Sequence, residues 1–193
     1  MSSEVFEIVK EMDMEAAETQ LALQCAPLIS GIKASNLLII CRESVDAIIG
    51  ILQKTEISYL ILSNEDKKST LLLYHKKRLE DCCMEQRALL LLKHYGYEAD
   101  TLDHMLQTFR KRYEAYQAKE INFPHEIGIF LGYPTEDVEG FIQNGGKNYL
   151  CSGCWKVYAN REAKLKIFEK YEKAKETIVQ LMSYGVSISD VII

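Results

Sequence analysis

Cys151-Ser152-Gly153-Cys154-Trp155 sets two thiols three positions apart, with a glycine between them that lets the chain turn sharply. Such a pair can clamp one metal ion, zinc or iron, or cycle between dithiol and disulfide. A zinc site needs two further ligands. Cys82 and Cys83 are adjacent on a predicted helix, where side chains diverge by about 100°, so they make a poor second clamp. Cys25, Cys41, His75 and His125 contribute only if the fold gathers them. A thioredoxin-like pair opens a helix, whereas Trp-Lys-Val-Tyr at 155–158 reads as extended. The competing reading is that of small buried cysteines in a tight turn.

His125 and Glu126 are the next candidates, as an acid and base side by side. No second histidine follows four residues later to complete a zinc-protease pair. Asn122 and Pro124 mark a helix start, where such residues serve as caps or sit in solvent. Lys33 follows Gly31 in a connection that can build a site, and it either meets an anionic ligand or is an ordinary surface lysine. The candidate pocket is thus Cys25, Lys33, His125, Glu126, Trp155, Lys156 and Tyr158, with Cys151 and Cys154 as the candidate metal ligands. Asn144-Gly145-Gly146-Lys147 does not make a phosphate loop: Asn148 stands where Ser or Thr is needed, and a helix precedes it.

FPHEIGIFLGYPTEDVEGFI, residues 123–142, has the packing pattern of a helix-turn-helix. Ile127, Phe130 and Leu131 would pack the first helix, Gly132 the turn, and Val138, Phe141 and Ile142 the second. However, Glu136, Asp137 and Glu139 occupy the start of the would-be recognition helix and would repel phosphates. Thr135 as N-cap and acids in the first turn, complementing the macrodipole, suffice to explain the stretch as a helical hairpin with an acidic surface.

These residues must be positioned by a chain of 193 residues, 48% hydrophobic, long enough for one substantial core. Residues 13–24 read as a helix ended by Pro27 and Gly31, and residues 36–41 as a buried strand. Val45, Ile48, Ile49 and Leu52 lie at helical spacing, and residues 57–63 and 69–75 form two strands around a polar turn. A right-handed crossover would set the first two strands parallel, with the hairpin adding the third antiparallel. Residues 77–96 read as one helix, residues 101–120 as a second, and about 162–182 as a long charged one. The β-branched tail VSISDVII suggests an added strand or a docking segment. The expected fold is α+β in a single domain: a small mixed three- to four-stranded sheet covered by helices within about 1–76, and a mainly helical part over about 77–193.

A net charge of -5 lacks the basic excess of a nucleic-acid binder, and no apolar run approaches a membrane span. The opening MSSEVFEIVKEMDM has acids where a secretory signal has basic residues, and six cysteines are too few for a disulfide scaffold. The expected location is the cytoplasm.

Three separated stretches, CAPLISGIKASNL at 25–37, FPHEIGIFLGYPTEDVEGFI at 123–142 and GCWKVY at 153–158, occur in an order that resembles a bacterial family known as domain of unknown function 3793. Ala163, Phe168 and Tyr171 follow in a helix. The resemblance implies a cytoplasmic bacterial protein and supplies no catalytic residues. The first functional expectation is a non-catalytic small-ligand-binding or regulatory protein, with a small molecule or a protein as partner, using a cleft between the sheet and the helical half. The alternative is an enzyme or redox or metal protein using Cys151 and Cys154 with His125. DNA binding through the 124–143 hairpin ranks last.

Overall fold

The computed structural model describes residues 2–98 and 100–192. The fold is α+β, and contacts divide it into two compact units: residues up to His75 with those from Glu169 onward, and Lys76–Phe168.

In the first unit, α1 (Ser3–Glu11), α2 (Ala17–Ile29) and α3 (Val45–Leu52) accompany three strands, β1 (Ser35–Cys41), β2 (Ile57–Asn64) and β3 (Lys68–His75). The strand order is β1-β3-β2, and both ladders are antiparallel. The first two strands therefore run the same way, as a crossover implies, yet they are not neighbours because β3 lies between them. Buried along Ser69–Tyr74, β3 is a central strand of near-continuous apolar type. Register sets Leu38 and Ile61 opposite Leu71 on one face, and a bulge between Ile61 and Ser63 leaves Leu62 as the extra residue. That face packs on Leu21, Leu28 and Ile29 of α2 and on Ile48 and Leu52 of α3.

Pro27 does not end its helix. It removes one intrahelical donor, but α2 continues only to Ile29, and the end is closed by a Schellman arrangement. Gly31 N–H donates to Leu28 O, Ile32 N–H donates to Pro27 O, and Gly31 takes the left-handed φ of 66° this cap requires. Further along α2, the Gln24 amide donates to Ile39 O and accepts from Ile39 N–H, engaging the outer edge of β1. The tail is not a strand: Ile188–Asp190 form a 3-10 turn, with Ile188 fully buried in the core beside Ile178.

The second unit holds α4 (Lys76–Met84), α5 (Gln86–His94), α6 (Leu102–Gln117), α7 (Ile127–Phe130), α8 (Thr135–Asn144), β4 (Cys151–Ser152) and β5 (Lys156–Val157), with the first turns of α9 (Arg161–Ser183). The expected single helix over 77–96 is broken at Glu85, although no glycine or proline marks the place. The Glu85 carboxylate accepts from the N–H groups of Arg87 and Ala88, starting α5 afresh. Phe109 of α6 stacks on Phe130 of α7 at 4.6 Å, and Tyr97 adds its ring to Phe130 at 5.4 Å.

The backbone N–H groups that cap onto Glu85 hold its carboxyl below the usual range. A depressed folded pKa means that the cap contributes fully above the unfolded pKa and is lost as pH falls through the folded one. Glu85→Ala should lower unfolding free energy at pH 7 by about 1 kcal/mol. That difference should vanish in acid, a trend that urea unfolding at a series of pH values will measure.

Candidate functional site

The acids of α8 do not form a free acidic surface. Asp137 is 2% exposed, and one carboxylate oxygen accepts from the backbone N–H groups of Tyr158 at 2.7 Å and Ala159 at 3.1 Å. Its other oxygen accepts from the Trp155 indole at 2.7 Å, with Lys164 Nζ 3.9 Å away. Glu136 pairs with Lys164 at 2.8 Å, and Glu139 pairs with Arg87. Burial opposes the charge on Glu136, but Lys164, the residue's own backbone N–H and the Arg87 charge prevail and hold its pKa down. Pro134, not Thr135, precedes the helix, and the Thr135 hydroxyl donates to Glu85 instead.

Asp137 thereby fastens α8 to the β4–β5 hairpin. The hairpin pairs Cys151 with Val157 and Ser152 with Lys156, and Gly153 N–H closes its turn on Trp155 O. Two glycines permit the approach. A Cβ at Gly140 would lie 2.4 Å from Tyr158 Cγ, and one at Gly153 would lie 2.4 Å from Phe168 Cδ2. Trp155 is then held from both sides, stacked on Tyr133 at 5.0 Å and edge-on to Phe168 at 4.6 Å.

Against this wall opens a pocket of about 260 Å³. Its rings are Phe123, His125, Tyr133, Phe141 and Trp155, and Ile127 and Val138 supply aliphatic surface. His125 lies between Phe123 at 5.4 Å and Phe141 at 5.0 Å. Lys156 Nζ donates to Gly146 O at 2.7 Å and rests over the rings of Tyr149 at 4.9 Å and Phe141 at 5.7 Å. Burial, with the Cys154 thiol adding to it, pushes the Tyr133 hydroxyl up to about 12.

Of the candidates read from the sequence, His125, Trp155 and Lys156 meet in this pocket, and Tyr158 adjoins it through Asp137 and Gly140. Glu126 does not line it. It stands at the N-cap position of α7, but its carboxylate is fully buried, accepting from Arg112 Nε at 2.5 Å and the Tyr97 hydroxyl at 3.2 Å. Glu126 Oε2 and the Tyr158 hydroxyl are both buried with no hydrogen-bond partner among the described residues. Burial and the Glu126 charge push the Tyr97 pKa up.

Cys25 and Lys33 belong to the first unit. Cys25 is fully buried in its core, and desolvation pushes the thiol up to about 12, so it is protonated at neutral pH. Lys33 is not a surface lysine: it is 7% exposed, and its ammonium donates to Asn36 Oδ1 at 2.6 Å.

All six cysteines carry thiols, Cys151 half-buried and Cys154 exposed. Among the described residues, the one group of three side chains set to share an ion is Glu98, Asp100 and His104, all exposed, and neither cysteine of the hairpin belongs to it. The Asp100 carboxylate is already bonded to His104 Nδ1.

The sequence reading missed Asp137 as a buried tie and Phe123, Tyr133 and Phe141 as pocket walls. A signal was available. Asp137 stands beside Val138 and four residues before Phe141, so it shares the apolar face of α8 rather than the solvent face.

Residues 21–192 match the family described as protein of unknown function (DUF3793). The chain belongs to the DUF3793 family. The match extends into both units of the fold, leaving out α1, and includes every residue of the pocket. No curated protein and no solved structure matches the chain.

Asp137→Ala would strand the Trp155 indole N–H and two backbone N–H groups. The expected loss is about 3 kcal/mol or more. Urea unfolding followed by emission of Trp155, the sole tryptophan, will measure it. A loss under about 1 kcal/mol would show that water replaces the carboxylate readily.

Proposed function

We propose that this DUF3793 protein is a non-catalytic small-ligand-binding or regulatory protein whose ligand occupies the aromatic pocket of the second unit. The observation that carries this reading is the fixed wall. Trp155 is stacked on Tyr133, wedged against Phe168 and hydrogen-bonded to a buried carboxylate, so the surface a ligand would cover is already organised. A preorganised apolar pocket binds without first paying to order its side chains. The volume suits a small molecule of one or two rings. Asp137 has both oxygens engaged, which gives it a holding role rather than that of a general base. A cytoplasmic location belongs to the same proposal and is supported by a cysteine count too low for a disulfide scaffold at this length. Among the described residues, no helix is long and apolar enough to cross a membrane.

Thermal unfolding and Trp155 emission, recorded with a panel of small neutral aromatic and aliphatic compounds, test the reading. Aromatic members should raise the melting temperature and alter the emission together. Phe123→Ala, which removes a half-exposed wall, should weaken them about tenfold, equivalent to about 1.4 kcal/mol. Compounds that raise the melting temperature without touching the emission, or that bind Phe123→Ala equally well, would count against the pocket.

A second reading, redox or metal chemistry at Cys151 and Cys154 with His125, draws support from one observation. The hairpin holds Cys151 on its first strand and Cys154 at the tip of the turn that follows, with Ser152, Trp155 and His125 all lining the pocket beside it. Equilibration with glutathione disulfide would then oxidise the pair, lowering the thiol count by two and releasing two glutathione thiols per protein. An unchanged count, together with no zinc or iron by elemental analysis of protein purified without chelator, would retire this reading.

A further inference from the structure

The charges around the pocket single out a chemical class of ligand, a deepening that rests on the small-ligand reading above. Two charged side chains, Asp137 and Lys156, border the cavity, and they are not equivalent. Asp137 spends both oxygens on Trp155, Tyr158 and Ala159, and only 1% of its side chain meets solvent. Buried this far, and with Lys164 beside it, it offers an incoming cation little access. Lys156 is partly exposed and among the described residues donates one hydrogen bond, to Gly146 O, which leaves two of its three N–H donors for another acceptor.

The position of that ammonium is set, not free. Gly146 O and the rings of Phe141 and Tyr149 hold it, and Phe141 is itself a pocket wall. Gly146 is crowded by the same ring: a Cβ there would lie 2.9 Å from Phe141 Cζ. The loop carbonyl, the aromatic wall and the cation therefore form one packed corner. Opposite this polar corner the cavity offers ring faces and aliphatic groups, suited to stacking rather than to hydrogen bonding.

We infer that the pocket takes a small planar aromatic anion, its ring among Phe123, His125, Phe141 and Trp155 and its carboxylate or similar acidic group on the Lys156 ammonium. A charge-assisted N–H to carboxylate bond in a largely apolar surrounding is stronger than a neutral one. A ligand cation would instead be repelled by Lys156. The neutral Tyr133 hydroxyl adds no opposing charge to the anion.

The test uses three compounds of one ring system that differ in charge: 2-naphthoate, 2-naphthalenemethanol and 2-naphthylmethylammonium. Because Trp155 is the sole tryptophan, its indole N–H gives a single NMR signal that reports on the pocket wall. All three titrations are read from that signal in the full chain, and in Lys156→Met and Lys156→Arg. Naphthoate should bind at least tenfold more tightly than the other two in the wild type and in Lys156→Arg. In Lys156→Met its advantage over the alcohol should fall to about twofold or less, with alcohol binding retained.

Equal affinity of anion and alcohol in the wild type, preference for the ammonium compound, or a preference for the anion that survives in Lys156→Met would overturn the anion assignment while leaving the pocket reading intact. No change in the Trp155 signal with any of the three compounds would overturn both.

Discussion

The second unit depends on one buried carboxylate. Taking Asp137 out of water costs several kcal/mol unless its oxygens are fully satisfied. Here two backbone N–H groups and an indole N–H meet them, and Lys164 supplies a compensating charge at 3.9 Å. Those donors come from the β4–β5 hairpin and the segment following it, so the carboxylate converts a short two-stranded hairpin into a fixed part of the helical unit. An isolated hairpin of this length would be marginal at best. Trp155 owes its orientation to this bond, Tyr133 stacks on Trp155, and the pocket wall follows.

A second buried carboxylate makes an instructive contrast. Glu126 is as buried as Asp137, yet among the described residues only one of its oxygens has hydrogen-bond partners, from Arg112 and Tyr97. Arg112, a quarter exposed, carries that charge toward solvent while its guanidinium lies near the Tyr95 and Tyr97 rings. The pair links α6 to the start of α7, across 14 positions of chain. Thus adjacent residues 125 and 126 serve different ends: one ring faces the pocket, and one carboxylate anchors the helix start beside it.

Much of the fold was legible where the information is local. The hairpin of β2 and β3, the long helix α9 and the helical pair α7–α8 all follow from apolar spacing and polar turns. What escaped was either non-local or ambiguous in kind. The placement of β3 between β1 and β2 depends on pairing choices that no single strand displays. Pro27 looked like a helix stop, but a proline in the last turn costs only one bond when a glycine cap follows. Glu85 looked like another helical residue, because a carboxylate that caps and one that faces water have the same letter. In the site, His125, Trp155 and Lys156 could be picked out by chemistry. Asp137 carried only a positional signal, its spacing to Phe141, which is easily overridden because an acid in the first turn of a helix already has a sufficient explanation in the macrodipole.

The Gln24 amide, bonded through both its oxygen and its nitrogen to the backbone of Ile39, has a consequence for the protein in company. An outer strand offers its unpaired N–H and C=O groups to any extended segment that meets it. Gln24 occupies one such donor and acceptor with a side chain shaped like a peptide unit, in the middle of an edge where the apolar Ile39 is itself 48% exposed. A foreign strand approaching β1 would have to displace that amide before pairing there, so a single glutamine guards this margin of the sheet against self-association.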